Sequence, residues 1–96
     1  MAFKVILTEK SLNDLEDILD YISADNPEAA ARFGEALLRH TEMLAIFPRM
    51  GALVNQRARV RKILHTPIRI YYRVDEKRES VEILHFWHTA RQEPKF

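Results

Sequence analysis

Basic and aromatic side chains in the second half of the chain are the residues whose types and spacing could do chemistry. The candidates are Arg61, Lys62, Arg69, Tyr71, Arg73, His88 and Arg91. Arginine and lysine can hold phosphate groups, and tyrosine can stack on a base. In metal-free RNA cleavage His88 could move a proton, while Arg61, Arg69 and Arg91 could stabilise the developing phosphorane charge. The same side chains could instead bind an acidic protein segment, or be the ordinary outward residues of a strand.

Other kinds of site have little basis in the sequence. The chain has no cysteine and only two glycines, which excludes thiolate metal sites, a cysteine nucleophile and glycine-rich phosphate loops. The histidines are scattered and no carboxylate pair lies beside them, so we predict no metal and no cofactor. An acidic group in the first helix is predicted to be its solvated face: Asp14, Glu16, Asp17 and Asp20.

Charge is divided unevenly between the two halves. Residues 1–48 contain four basic and nine acidic residues, a net −5, and residues 49–96 contain eleven basic and five acidic, a net +6; together these give the net charge of +1. Such asymmetry indicates an anionic partner for the second half, although a solvated basic surface with no partner gives the same composition.

Length and composition limit the class of protein. A chain of 96 residues, 47% hydrophobic and 30% charged, is typical of one globular domain, so residues 1–96 are predicted to form a single domain. No apolar run approaches the roughly 20 residues of a membrane span, and no signal peptide is recognisable. We therefore expect a cytoplasmic protein without membrane contact.

Two amphipathic helices are predicted to position part of this surface. Apolar residues recur at helical spacing after Thr8, a suitable N-cap. They are Leu12, Leu15, Ile18, Leu19 and Ile22. Asn26-Pro27 ends this helix and starts a second, which runs to Pro48 and Gly51. A short break between two such helices predicts an αα-hairpin.

Strands are predicted before and after the hairpin. Residues 3–8 form the first, and residues 60–64, 68–74 and 81–87 form an antiparallel meander, with 49–59 as a connecting loop. Alternation in 68–74 directs Arg69, Tyr71 and Arg73, together with Arg61, away from the helices. The predicted fold class is α+β: a β-αα-βββ two-layer sandwich with the helix hairpin packed on a small antiparallel sheet. Its open sheet face would be the binding surface.

Several segments, taken in order, resemble one known superfamily. They are the opening strand, Tyr21-Ile22, Asn26-Pro27-Glu28-Ala29-Ala30, Phe47-Pro48-Arg49-Met50-Gly51, residues 68–75 and residues 84–91. In this order, and over nearly the whole chain, they resemble the RelE/ParE superfamily, the toxins of bacterial type II toxin–antitoxin systems. The resemblance implies the same two-helix, small-sheet fold.

The resemblance implies two alternative activities. RelE-type members cut mRNA on the ribosome with basic sheet residues and commonly a C-terminal tyrosine, whereas ParE-type members inhibit DNA gyrase. Here Arg69 matches the arginine of an Arg-x-x-Tyr strand with Tyr72 as its partner, Arg91 matches an arginine after the last strand, and Arg61 or Lys62 matches a basic strand position. No tyrosine follows Arg91, and the hairpin and the Phe-Pro-x-x-Gly turn are closer to the ParE branch.

By resemblance, the expected protein is a ParE-like, plasmid-stabilization type of toxin that causes growth arrest through DNA gyrase and is neutralised by a cognate antitoxin. It would be a binding protein, with Arg69, Tyr71, Arg73, His88 and Arg91 contacting the target. The alternatives are a metal-independent, ribosome-dependent mRNA endonuclease using Arg61, Arg69, His88 and Arg91, and a non-toxic relative that only binds an antitoxin.

Two further expectations concern the assembly of the protein and the segments that bind its partners. Either a homodimer or a toxin–antitoxin hetero-oligomer is compatible with the sequence. Ala30 and Phe3 are predicted to line an antitoxin groove, and residues 88–96 are predicted to be a flexible basic tail that reaches a partner.

Overall fold

The computed structural model describes residues 2–96 and contains two long helices and five strands. The helices are α1 (Glu9–Ser23) and α2 (Pro27–Glu42), and a short 3₁₀ helix, Met43–Ala45, continues α2. The strands are β1 (Lys4–Leu7), β2 (Ala52–Asn55), β3 (Val60–His65), β4 (Ile68–Asp75) and β5 (Ser80–His88). None of the helices described has both the length and the apolarity that a bilayer-spanning helix needs.

Both predicted helix caps are present. The Thr8 hydroxyl oxygen accepts a hydrogen bond from Ser11 N at 3.1 Å, and the same hydroxyl donates to Ile83 O at 2.7 Å. The Asn26 side chain accepts from Ala29 N at 3.0 Å, and proline occupies the first turn of α2. Each cap satisfies an N–H group that has no partner within the helix. The Thr8 cap also ties the start of α1 to β5.

The five strands form one mixed sheet in the order β1-β5-β4-β3-β2. The α+β class with a helix hairpin on one sheet is confirmed, but β1 pairs parallel to β5 while the other pairs are antiparallel. The expected loop over 49–59 is wrong for Ala52–Asn55, which forms an edge strand on β3. This four-residue strand is held by backbone pairing and has little buried surface, so its sequence carries no alternation.

The core lies between the helix layer and the facing side of the sheet. Leu15 and Leu37 from the helices and Leu44 from the 3₁₀ helix pack against the sheet residues Ile68, Ile70, Tyr72, Val81, Ile83 and Phe86. Leu12, which the helical period places in the apolar stripe, is instead 50% exposed. Ser11 takes that place at the helix start, where its hydroxyl donates to Thr8 O at 2.8 Å and is fully buried.

Gly51 is hydrogen-bonded to two residues of the sheet. Its N–H donates to the hydroxyl of fully buried Tyr72 at 2.9 Å, and its carbonyl accepts from Arg61 Nη1 at 2.8 Å. Burial raises the pKa of the Tyr72 hydroxyl, against the opposing effects of the Gly51 N–H and the Arg61 charge. Arg61 therefore lies on the helix side of the sheet, opposite Tyr72 in the register, and its predicted place on the open face is wrong.

Candidate functional site

The face of β3, β4 and β5 that points away from the helices, here called the open face, carries most of the candidate residues. Cross-strand partners share a face, so the register of the strands defines its members. Its polar and aromatic members are Lys62, Arg69, Tyr71, Arg73, Glu82, His85 and Trp87, and Val60 and Leu64 lie on the same face. Lys62 pairs with Tyr71, and Tyr71 with His85, so these three form a row across three strands.

The two arginines of the open face have different partners. Arg73 Nε donates to Ala58 O at 2.8 Å, and its Nη1 lies 3.4 Å from the Glu82 carboxylate. Arg69 makes no ion pair with a carboxylate of residues 2–96. Burial raises the pKa of the neighbouring Tyr71 hydroxyl, while a hydrogen bond from Arg69 opposes this change and the Glu93 charge adds to it. Of these two arginines, Arg69 is thus the one without a carboxylate partner in the described residues.

Tyr71 is fully buried although it points away from the helices. The Phe96 ring lies over it with ring centroids 5.2 Å apart, and the Tyr71 hydroxyl donates to the Glu93 carboxylate at 3.4 Å. Residues 89–96, here called the tail, therefore pack on the open face. The expectation of a tail that is free of the domain is wrong, and Tyr71 can stack on a base only after the tail has moved.

Asp14 and His85 form a contact that the sequence reasoning missed. Asp14 is only 6% exposed, and one of its carboxylate oxygens lies 3.3 Å from both His85 Nδ1 and Phe86 N. Lys10 pairs with the other oxygen. The expected solvated acidic face is wrong for Asp14, whereas Glu16, Asp17 and Asp20 are exposed as predicted. The spacing of Ser11, Asp14, Leu15 and Ile18, three or four apart, is the signal that places Asp14 toward the sheet.

His88 lies away from the arginines of the open face, because it pairs with Ile68 and so points to the helix side. Arg91 stacks 3.6 Å above the centroid of Trp87, the cross-strand partner of Arg69 on the open face. His88 and Arg91 both border a groove of about 610 Å³, here called the α1 groove. Its other lining residues are Asp14, Asp17, Ile18, Tyr21, Ile22, Phe33, Pro67, Ile68 and Phe86. Tyr21, 83% exposed, forms its outer wall.

The structure does not bring the four nuclease candidates together. Arg69 lies on the open face, Arg61 holds Gly51 on the helix side, and His88 and Arg91 border the α1 groove. The predicted antitoxin groove at Ala30 and Phe3 is also wrong. Ala30 is only 6% exposed in the hairpin and Phe3 packs against the core.

A pair of histidines joins the end of α2 to the end of β3. Their Nδ1 atoms are 2.9 Å apart, so one of His40 and His65 donates a hydrogen bond to the other, and Phe33 packs edge-on against His65. Burial, followed by the neighbouring His40, lowers the pKa of His65. Within residues 2–96, no three His, Cys, Asp or Glu side chains form a cluster suited to a metal ion.

Acidification is expected to weaken the contact between α2 and β3. Because folding lowers the pKa of His65 below its unfolded value of 6.5, the unfolded chain binds this proton more readily. Its contribution to stability is therefore present above pH 6.5 and is lost as the pH falls through the folded-state value. Urea unfolding at pH 7.5 and pH 5.5 should show a smaller loss of stability in His65→Asn than in the wild type. Equal losses would contradict a role for His65.

The two-helix, mixed-sheet arrangement matches the fold of the RelE/ParE toxins. The toxin–antitoxin complex RelBE2 from Mycobacterium tuberculosis has a chain with TM-score 0.68 and 21% identity, covering 92% of this chain and 99% of that one. The chromosomal ParDE toxin–antitoxin system of P. aeruginosa has a chain with TM-score 0.75 and 21% identity, covering 91% and 96%.

The family follows from the sequence itself. Residues 5–93 match the family described as the ParE toxin of the type II toxin–antitoxin system parDE, and the chain belongs to this family. Among proteins with curated functions, none matches the chain. The RelE/ParE resemblance noted from the sequence motifs is confirmed.

Proposed function

We propose that this protein is a ParE-like toxin that arrests growth by inhibiting DNA gyrase. The observation that carries the proposal is the match of residues 5–93 to the ParE toxin family. The scattered positions of Arg61, Arg69 and His88 add support, because RNA cleavage needs its acid, base and charge-stabilising groups around one phosphate. A gyrase inhibitor needs only a binding surface, and Arg69, which has no carboxylate partner within residues 2–96, provides a charged contact on the open face.

A cognate antitoxin is the second partner in this proposal. Both structurally similar chains come from toxin–antitoxin complexes. The α1 groove is largely apolar and has the exposed Asp17 on one side and Arg91 at its border, which suits an amphipathic antitoxin helix whose acidic residues lie beside Arg91. Association of such a segment with the basic half of the chain should slow as ionic strength rises.

One observation favours the alternative of an mRNA endonuclease. Asp14 holds His85 Nδ1 at 3.3 Å, and His85 lies beside Tyr71 on the open face. A carboxylate that orients an imidazole in this way is a common arrangement for proton transfer. His85, and not His88, would be the proton-transfer residue of a nuclease built on this face.

Induced expression scored for DNA damage and for loss of mRNA, together with a supercoiling assay on purified gyrase, separates these activities. The proposal expects a DNA damage response in cells, inhibition of supercoiling by purified gyrase in vitro, and intact mRNA. Loss of mRNA that disappears in His85→Gln, with normal supercoiling, would establish the nuclease alternative. Expression without any growth defect would support the non-toxic relative. Suppression of the effect by the product of an adjacent gene would identify the antitoxin.

Arginine variants test which surface meets gyrase. We expect Arg69→Ala to weaken gyrase inhibition about 30-fold, the effect of losing roughly 2 kcal/mol at an interface hot spot. The matched control is Arg78→Ala, since the Arg78 side chain is 84% exposed in the turn before β5. Both variants should unfold within about 0.5 kcal/mol of the wild type. Full inhibition by Arg69→Ala would contradict the assignment of the open face.

A further inference from the structure

The tail begins with firm anchors at the end of β5. Thr89 N donates to Pro67 O at 2.9 Å, and Trp87 Nε1 donates to Gln92 O at 2.8 Å. The Arg91 guanidinium covers the outer face of the Trp87 ring at 3.6 Å. These contacts set the direction in which residues 93–96 cross the open face.

The far end of the tail makes two contacts of different chemistry. The Glu93 carboxylate lies 3.7 Å from Lys62 Nζ and 3.4 Å from the Tyr71 hydroxyl. The Phe96 ring lies over Tyr71, with its centroid 6.0 Å from that of His85. The row Lys62–Tyr71–His85 thus receives a carboxylate at one end and an aromatic ring at the other.

The tail is held loosely compared with the surface that it covers. The side chains of Lys62 and Glu93 are 36% and 44% exposed, and Phe96 is 39% exposed. Exposed ion pairs of this kind contribute little to stability. Tyr71, in contrast, is 0% exposed beneath the tail. Release of the tail alone would expose the Tyr71 ring to water. Replacement of the tail by another segment with the same groups is therefore favoured over release.

We propose that the row Lys62–Tyr71–His85 is a peptide-binding site that the chain's own tail occupies. The partner that fits it is a protein segment with a carboxylate three residues before an aromatic ring, the spacing of Glu93 and Phe96. Displacement of the tail removes Glu93, the ion-pair partner of Lys62. Arg69 on the same face also has no carboxylate partner in residues 2–96, so the site prefers an anionic segment. This inference stands independently of gyrase as the target.

A labelled peptide with the sequence of residues 89–96 tests the proposal by fluorescence anisotropy. The full-length double variant Glu93→Gln/Phe96→Ala should bind this peptide at least tenfold more tightly than the wild type, because an intact tail competes at a high effective concentration. Adding Lys62→Gln to the double variant should weaken peptide binding again. Lys95→Gln, a change at an exposed tail position, should behave like the wild type.

The sole tryptophan supplies a second readout, because Trp87 contacts the tail through Gln92 and Arg91. Binding of the peptide should change Trp87 fluorescence in the double variant. The double variant should itself unfold with a midpoint close to that of the wild type, which shows that it is folded. Equal peptide binding by wild type and double variant, or binding by neither, would overturn the proposal. Displacement of the peptide by single-stranded oligonucleotide at lower concentration would overturn the peptide class in favour of nucleic acid.

Discussion

Gly51→Ala is expected to destabilise the protein by about 3 kcal/mol, the upper range for an added methyl group in a packed site. A Cβ at this position would lie 2.5 Å from Lys62 O and 2.6 Å from the Tyr72 hydroxyl oxygen. Neither atom can withdraw easily, since one belongs to the backbone of β3 and the other to a fully buried ring that bonds Gly51 N. Thermal unfolding should show a melting temperature lowered by roughly 12 °C or more.

Gly34→Ala provides the matched control. Its Cβ would lie 3.2 Å and 3.3 Å from the two terminal carbons of Leu19, which a small side-chain rotation can move. Replacing a glycine inside a helix by alanine gains up to about 1 kcal/mol. The melting temperature should therefore remain near that of the wild type or rise. A large loss in Gly34→Ala, or none in Gly51→Ala, would contradict this account of the two glycines.

The elements that the sequence predicts best are those with strong local signals. Thr8 and Asn26-Pro27 mark the helix starts, and alternation in β4 assigns Ile70 and Tyr72 to the core and Arg69 to the open face. These features depend on neighbouring residues along the chain. The α+β class followed from them because a helix hairpin was the only available cover for the sheet.

Contacts between segments that are far apart in the sequence could not be predicted from local residue patterns. Tyr71 aligns with His85 but Tyr72 with Ile83, so one residue of β5 is extra and the alternation of the strand changes there. That bulge gives Ile83 and Phe86 to the core and His85 to the open face. The same limitation applies to Tyr71, because strand alternation predicts its direction and cannot predict that Phe96 covers it.

The hydrogen bond between Gly51 and Tyr72 gives two of the sequence motifs a structural role. Tyr72 of the Arg-x-x-Tyr strand and Gly51 of the Phe-Pro-x-x-Gly turn are both buried, and the Gly51 N–H donates to the Tyr72 hydroxyl at 2.9 Å. Their joint presence in the sequence is therefore explained by folding, and Arg69 is the member of the strand motif that faces away from the core.

Asp14→Leu is expected to cost about 2–3 kcal/mol, because it leaves the buried Phe86 N–H without its acceptor. Strand β1 pairs with β5 only as far as Ile83, so β1 supplies no acceptor for the Phe86 N–H. The Asp14 carboxylate accepts this hydrogen bond instead. Asp14→Asn keeps an oxygen that can accept this bond and loses only the charge, at a cost of about 1 kcal/mol. Asp20→Leu, at an exposed position of the same helix, should stay within about 0.5 kcal/mol of the wild type.

Urea unfolding gives the order of stability, and hydrogen exchange at the Phe86 amide reports the bond directly. Wild type, Asp14→Asn and Asp14→Leu should exchange this amide progressively faster, while amides at the centre of β4 follow global stability alone. Slow exchange of the Phe86 amide in Asp14→Leu would show that another group accepts the bond. Because the asparagine variant keeps the shape and the acceptor, a loss as large as that of the leucine variant would instead assign the stability to the charge of Asp14 beside Lys10 and His85.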